Sequence, residues 1–562
     1  VGVLSFPLAS LAANPPPVQT YFVPLPEAQL RTMLLNLYGS TGSTIRSVVS
    51  IVVTGNDALV YYDHWEDGYE LDIANPTQST SQVWGDGDVG TGAPPGCSAD
   101  ACDVFNSGDV ISLENNVSLP RNPSTILYDG RDKIGVTKNA VVARAAWPTS
   151  PGSVMADSVE APEVKRWGLA FEIPVGEDLS ADAMFEYTGL MVMASEDGTQ
   201  VQIDQDADGA VDIMQTLNEG EVHFVDGDVN VGASVTADKP VIVNVLTGDV
   251  GARYETRWFT IYPTEQWSDS MYSPFWTTSL SSPAHVFLYN PDDTDSITVN
   301  YETLGGTGSF AIAAGETYRY AMPQNTGAHF YSDDGKPFFG VGTMDSDSDN
   351  SAYDWGFSLI PERNLTTEAV VGWAPGTADD PPAANGSPIW VVASEATTLY
   401  VDFDGDPATG SKTDARGDKY DEDYALNALE AQRIVDTSDN DQTGTHLYTL
   451  NGALVAAAWG QDPSVASPGN PYLDMGYTVL PLPVVSARKD VLLWSEIVDN
   501  GFAEGGETLL YTITVKNSGT VILPDVVVSD TLPMSGTQQV VTYVTNTMQT
   551  NGLAFPSDDS VP

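Results

Sequence analysis

Basic residues, cysteines, histidines and long apolar runs are all scarce in this chain. Its 562 residues carry 22 Lys and Arg against 77 Asp and Glu, a net charge of −55. A chain so charged repels phosphate backbones and anionic headgroups, which excludes nucleic acid as a partner. It also resists compaction unless salt screens the charge or bound cations neutralise part of it. A divalent metal or a saline medium is therefore expected. No stretch approaches the roughly 20 apolar residues that span a bilayer, so membrane insertion is not expected.

The five histidines, His64, His223, His285, His329 and His446, lie singly in different segments, which argues against a transition-metal centre. No G-x-S-x-G elbow, Walker loop or catalytic Cys/His combination occurs. Acidic pairs are too abundant for any one to mark a glycosidase dyad. The chain is expected not to be an enzyme. The only two cysteines, Cys97 and Cys102, share the loop GAPPGCSADAC. Two thiols fall short of a four-ligand metal site, so a local disulfide is expected, with free thiols as the alternative.

What is abundant points to β-structure. Hydrophobic residues make up 42% of the chain, with 12 Trp, 24 Tyr and 17 Phe, so it is no disordered acidic tail. Fifty Gly and 37 Pro among Val, Thr and Tyr suit short strands joined by turns. Self-similarity supplies the architecture. An aromatic-apolar strand ending in Pro recurs at Pro26, Pro174, Pro263, Pro361 and Pro481, delimiting four units. Each unit then shows an alternating strand, such as ALVYYD to Asp63, TQVQID to Asp204, SITVNY to Tyr301 and TLYVD to Asp402. A two-strand signature follows, from Ile134, Gly232, Gly327 and Gly444.

The expected fold is all-β: four antiparallel pseudo-repeats, sandwich-like in a row or closed in a propeller-like ring, then an immunoglobulin-like sandwich. The expected boundaries are an apolar arm at 1–16, units at 17–165, 166–255, 256–353 and 354–485, and the final domain at 486–562. Units one and four carry acidic insertions at roughly 73–107 and 405–428. The final domain has period-two strands at Leu509 to Val515 and Val526 to Ser529. It falls short of the roughly 100 residues of a complete sandwich.

The sharpest chemical signal is Asp204-Gln-Asp206-Ala-Asp208-Gly209-Ala-Val-Asp212. Carboxylates at alternate positions, with a Gly for the turn, present hard oxygens to one Ca²⁺, although Gln215 stands where an EF-hand has its bidentate Glu. Asp402, Asp404 and Asp406 repeat the alternation at the equivalent place; a further alternating run, Asp345, Asp347 and Asp349, follows the last strand of unit three. Asp63-His-Trp-Glu66-Asp67-Gly68 breaks the pattern, and unit three has no such loop after its second strand. Ca²⁺ is the expected cofactor.

Two resemblances add to this reading. KDVLLWSEIVDNGFAEGGETLLYTITVKNSGTVILPDVVVSDTLP, from Lys489, resembles a tandem repeat of unknown function common on very large bacterial surface proteins. The Glu219-Gly220-Glu221 turn and Gly232 to Val241, echoed at Ala314-Gly315-Glu316 and Gly327 to Phe338, are similar to the N-terminal module of IgG-Fc-binding proteins. These resemblances imply a secreted, cell-surface location. The expected function is a calcium-stabilised structural protein of a surface layer, sheath or filament, self-associating head to tail by β-strand addition through the apolar arm and the short final domain, or joined to other surface proteins. The alternative is a monomeric adhesin or ligand-binding module of a larger surface protein.

Overall fold

The structure is a computed structural model that describes residues 18–150, 157–251, 256–344, 354–376, 386–465, 474–482, 485–495 and 508–517, with four dipeptides beyond. It is all-β, and every strand pair between Gln19 and Val479 is antiparallel. Four modules follow one another, each built on a common plan of eight strand positions. In module 1 these are Gln19–Phe22, Thr44–Val53, Val60–Asp63, Gln82–Trp84, Val110–Ser118, Lys133–Val136, Ala140–Pro148 and Asp157–Ala161. One sheet has the strand order first, sixth, third, fourth; the other has fifth, second, seventh, eighth. Modules 2, 3 and 4, spanning Gly168 to Ile261, Ser270 to Ser358 and Glu368 to Val479, repeat this order strand for strand. In module 2 the sixth and seventh strands are one bent strand, Ser234–Gly248, broken in register between Thr236 and Val241.

The two sheets differ in pattern because they meet different surroundings. In module 2 the first sheet has one wet face, so its third strand alternates: in TQVQID, Val201 and Ile203 are buried while Gln200 and Gln202 are exposed; in module 1 the counterparts Val60–Asp63 and Lys133–Val136 are buried throughout. The second sheet is covered on both faces, so its central strands are buried throughout, as in Tyr187–Ala194 and Ala140–Pro148. In module 2, Leu190, Val192, Val243 and Val245 pack inside the sandwich. Met191, Leu246 and Trp258 face the other way, onto Ala143, Ala145 and Trp147 of module 1.

The four eighth strands close a ring. Asp157 Oδ2 accepts the Trp258 N–H of module 2 (2.9 Å) and Asp157 Oδ1 the Gly476 N–H of module 4 (3.1 Å). Ser358 of module 3 donates from Oγ to Thr260 O (2.7 Å), and Thr478 Oγ1 donates to Ser358 O (2.7 Å). Each module thus meets the next, and module 4 returns to module 1. At that seam Trp147 stacks on Trp373 at 6.3 Å, and Glu160 accepts N–H groups from Gly372 (3.0 Å) and Leu480 (2.6 Å). One α-helix, α1 (Glu27–Tyr38), covers module 1 with Leu30, Met33, Leu34 and Leu37, and stops at Gly39, whose φ is 69°.

Strand pairing moves two of the expected boundaries. Thr256–Ile261 and Gly356–Ser358 pair with the sheets of modules 2 and 3, so each belongs to the module before the cut at 255/256 or 353/354. The Pro markers mix two positions: Pro263, Pro361 and Pro481 follow eighth strands, whereas Pro174 follows the first strand of module 2. Pro162 is module 1's counterpart, with a 3₁₀ turn and Trp167 after it, as Pro263 precedes a turn and Trp267. Both insertions contain the module's fourth strand, Gln82–Trp84 or Glu422–Leu426.

Of the expected final domain, the described elements are an antiparallel pair, Val485–Ser495 with Thr508–Asn517, and two short hairpins within a separate compact unit, 523–562. The expected strand at Leu509 to Val515 falls within this pair; that at Val526 to Ser529, and the arm at 1–16, lie outside the described residues. No helix among the described residues is long and apolar enough to cross a membrane.

Candidate metal centres at the module junctions

Asp63, Asp204 and Asp402 are each the last residue of a third strand, Val60–Asp63, Thr199–Asp204 and Thr397–Asp402. In module 2 the following loop returns directly into the fourth strand, Ile213–Leu217. Left-handed backbone at Ala207 (φ 60°) and Gly209 (φ 87°) curls it inward. Gly209 N–H then donates to Asp204 Oδ2 (2.8 Å) and Gln205 N–H to Asp212 Oδ2 (2.9 Å). Asp204, Asp206 and Asp212 each place one carboxylate oxygen within 4.8 Å of the others. Asp208 stands outside this group, and its Oδ1 accepts Ala210 N–H (2.8 Å). Three anionic oxygens on one turn suit Ca²⁺, which takes 6–8 oxygen ligands and accepts backbone carbonyls and water as the remainder.

Module 4 rebuilds this loop around an insertion. Phe403 N–H donates to Asp421 Oδ2 (3.0 Å), and Asp421 N–H to Val401 O (3.0 Å). These bonds match Gln205 to Asp212 and Asp212 N–H to Ile203 O (2.9 Å). Asp421 is therefore the counterpart of Asp212, carried past a hairpin of Lys412–Thr413 with Lys419–Tyr420. Asp404 and Asp406 cap turns, accepting the N–H groups of Asp406 (3.1 Å) and Ala408 (2.9 Å). Asp402 is 1% exposed. Burial, then the neighbouring Asp404, Asp421 and Asp406, push its pKa up to about 8.

In module 1 side chains do what a cation would do. Asp63 is buried, which raises its pKa to about 6, but it accepts Glu70 N–H (2.8 Å) and Ser81 Oγ–H (3.1 Å) and pairs across the strands with Lys133. The histidines lie apart in the sequence, yet His64 comes together with Glu66 and Asp132 within 4.8 Å. Asp132 is too distant in sequence to have been grouped with them. Protein donors meet most of that group, with Glu66 Oε2 left without one. Tyr62 Oη (2.8 Å) and Asp129 N–H (3.1 Å) donate to Asp132 Oδ2, and Arg121 bonds Glu66 and Asp129. Burial opposes charge on His64, but Asp132 and Glu66 raise its pKa overall. Module 3 turns directly from Ile297–Thr303 into Gly306–Ile312 and has no loop there. Asp345, Asp347 and Asp349 lie outside the described residues. Cys97 and Cys102 are joined in a disulfide, their Cα atoms 5.7 Å apart.

The turn between fourth and fifth strands repeats as well, with left-handed Gly220, Gly315 and Leu429 (φ 66°, 66° and 62°). It docks on the preceding module. Arg131 Nε donates to Gly220 O (3.0 Å) and Lys133 Nζ to Glu219 Oε1 (2.6 Å), while Gly327 N–H donates to Leu429 O (3.1 Å). In module 1 the corresponding segment carries Ser107, whose Oγ donates to Gly405 O (2.9 Å) in the acidic loop of module 4. Gly232 of module 2 lies against both Ala207 of its acidic loop and Tyr289 of module 3. The acidic loops of modules 2 and 4 thus stand at junctions with the next module.

A family model described as IgGFc binding protein matches residues 158–344. The match covers the last strand of module 1, module 2 and module 3 to its seventh strand, and it includes the two turns and two strand signatures on which the resemblance was read. No curated protein matches the chain. Among solved structures, a chain titled biofilm associated protein, BSP domain, aligns over 84% of this chain and 99% of its own at 8% identity and a TM-score of 0.12, too low to carry a structural argument.

Proposed function

We propose that this chain is a non-enzymatic, secreted surface scaffold whose four-module ring is stiffened by Ca²⁺. The observation that carries this is the Asp204–Asp206–Asp212 cluster, three carboxylates gathered at a module junction in a chain of net charge −55. An ion bound there offsets local repulsion and ties both ends of one hairpin to each other beside the neighbouring module. A ligand held only by the folded state must stabilise it. Calorimetry of the full chain is expected to show a melting temperature that rises with calcium and falls with chelator, the response shrinking in Asp204→Asn. An identical melting temperature with and without calcium would sink the proposal.

Self-association by strand addition is part of the proposal, since the fourth strands Ile213–Leu217 and Gly306–Ile312 are largely exposed sheet edges. Negative-stain imaging separates filaments from single particles. A second reading, a binding module of a larger surface protein, is favoured by the match to a family described as IgGFc binding protein. It predicts capture of the IgG Fc fragment by the immobilised chain.

A further inference from the structure

The acidic loop of module 4 is pressed against the seam. A Cβ on Gly108 would come within 2.2 Å of Asp404 O and 2.9 Å of Asp406 N, so the two backbones touch directly. A cavity of about 180 Å³ lies at the same seam, lined in part by Ser107, Gly108, Gly405, Glu368 and His446. Within the loop, Asp402 Oδ1 meets no hydrogen-bond donor although the residue is 1% exposed. Its charged neighbours are Asp404, Asp406 and Asp421. A buried carboxylate oxygen without a donor, facing three more carboxylates, is costly unless a proton or a cation is held there, and of the two only a cation serves all four groups at once.

We propose that Asp402, Asp404, Asp406 and Asp421 bind a second divalent cation, and that this ion fastens module 4 to module 1. The inference rests on the calcium reading above and adds a site, a ligand from beyond the insertion and a role. The four carboxylates are set more widely than the Asp204 group, and the ion draws them together. That stiffens Asp404–Asp406, the stretch packed against Gly108. Modules 1 and 2 are held at the corresponding place by the Lys133–Glu219 pair; at the seam the ion does this work.

The test is calcium titration calorimetry and amide hydrogen exchange on the full chain, comparing wild type with Asp421→Asn, Asp402→Asn and Asp204→Asn. Asparagine at 421 keeps an acceptor for Phe403 N–H, so folding is expected to survive. Wild type is expected to bind one more Ca²⁺ than Asp421→Asn or Asp402→Asn. Calcium is expected to slow exchange at Gly108 and Gly444 at least roughly tenfold in wild type and Asp204→Asn, but not in Asp421→Asn. Wild-type stoichiometry in Asp421→Asn, or seam amides indifferent to calcium, overturns the proposal. If calcium still raises the melting temperature through Asp204 in that case, the scaffold reading stands and only the seam site falls; if calcium binds nowhere, both fall.

Discussion

Single residues set the electrostatic character of the ring, and several sit where their charge is least welcome. Burial, then Glu27 and Asp132, raise the Asp129 pKa to about 8, and burial lifts Asp157 and Glu160 well above the usual range despite their backbone donors. A carboxyl whose folded pKa is raised holds its proton more tightly when folded, so its contribution to stability grows as pH falls from above the folded value toward the unfolded value near 4. His64, raised by Asp132, adds stability in the same direction. Glu368 and Asp414 are lowered and withdraw stability only as pH drops below about 4. In chelator, the melting temperature is therefore expected to rise from pH 8.5 to about pH 5.5 and to fall again below 4. A monotonic rise from pH 4 to 8.5 would contradict this account. The alternation of Asp204, Asp206 and Asp212 was readable because one short turn holds all three. Asp421 was not, since residues 407–420 separate it from Asp406; the signal that finds it is an Asp directly before an alternating strand, as in Asp212-Ile213 and Asp421-Glu422.

At the scale of strands, the two sheets were not equally legible. In module 2 the first sheet announces itself by period-two patterning because one of its faces is wet. Of the second, the seventh strand was legible as the latter half of a strand-turn-strand signature whose first half, the sixth strand, belongs to the first sheet; burial on both faces erases the alternation that would have marked a separate layer. The eighth strands were read as markers that open a unit, although pairing makes them the strands that end one. Their composition is that of a core strand in either case, and only the partner decides. Module 2 offers a test of how much the shared topology tolerates. Its sixth and seventh strands run on as Ser234–Gly248, where module 3 interposes residues 332–338 and module 4 residues 450–454. Inserting Gly-Ser after the exposed Asp238 is expected to cost less than about 1 kcal/mol, because loop length is penalised only weakly. Thermal melting checks it; loss of folding would mean that continuity of the strand is essential.

At the scale of the molecule, no run of residues in the sequence distinguishes a row from a ring, because closure depends on contacts between its first and last modules. Those contacts are specific. Trp373 is 6% exposed, stacks on Trp147 and meets Trp459 edge-on at 5.9 Å. Trp373→Ala is expected to cost about 3–5 kcal/mol, read as a lower urea midpoint at unchanged slope, whereas an unchanged midpoint would mean that the seam contributes nothing. The seam also differs from the other three junctions in its chemistry of connection. Modules 1 to 2, 2 to 3 and 3 to 4 are joined by peptide bonds, while modules 4 and 1 are joined by stacked indoles, hydrogen bonds and close-packed backbone. Gln19 and Leu482 both lie near it, the latter packed on Val52, Val141 and Val370. Under tension between those two points the four-module ring is expected to act as a hoop with a clasp: the load falls first on the non-covalent join, which opens while each module still keeps its own pair of sheets.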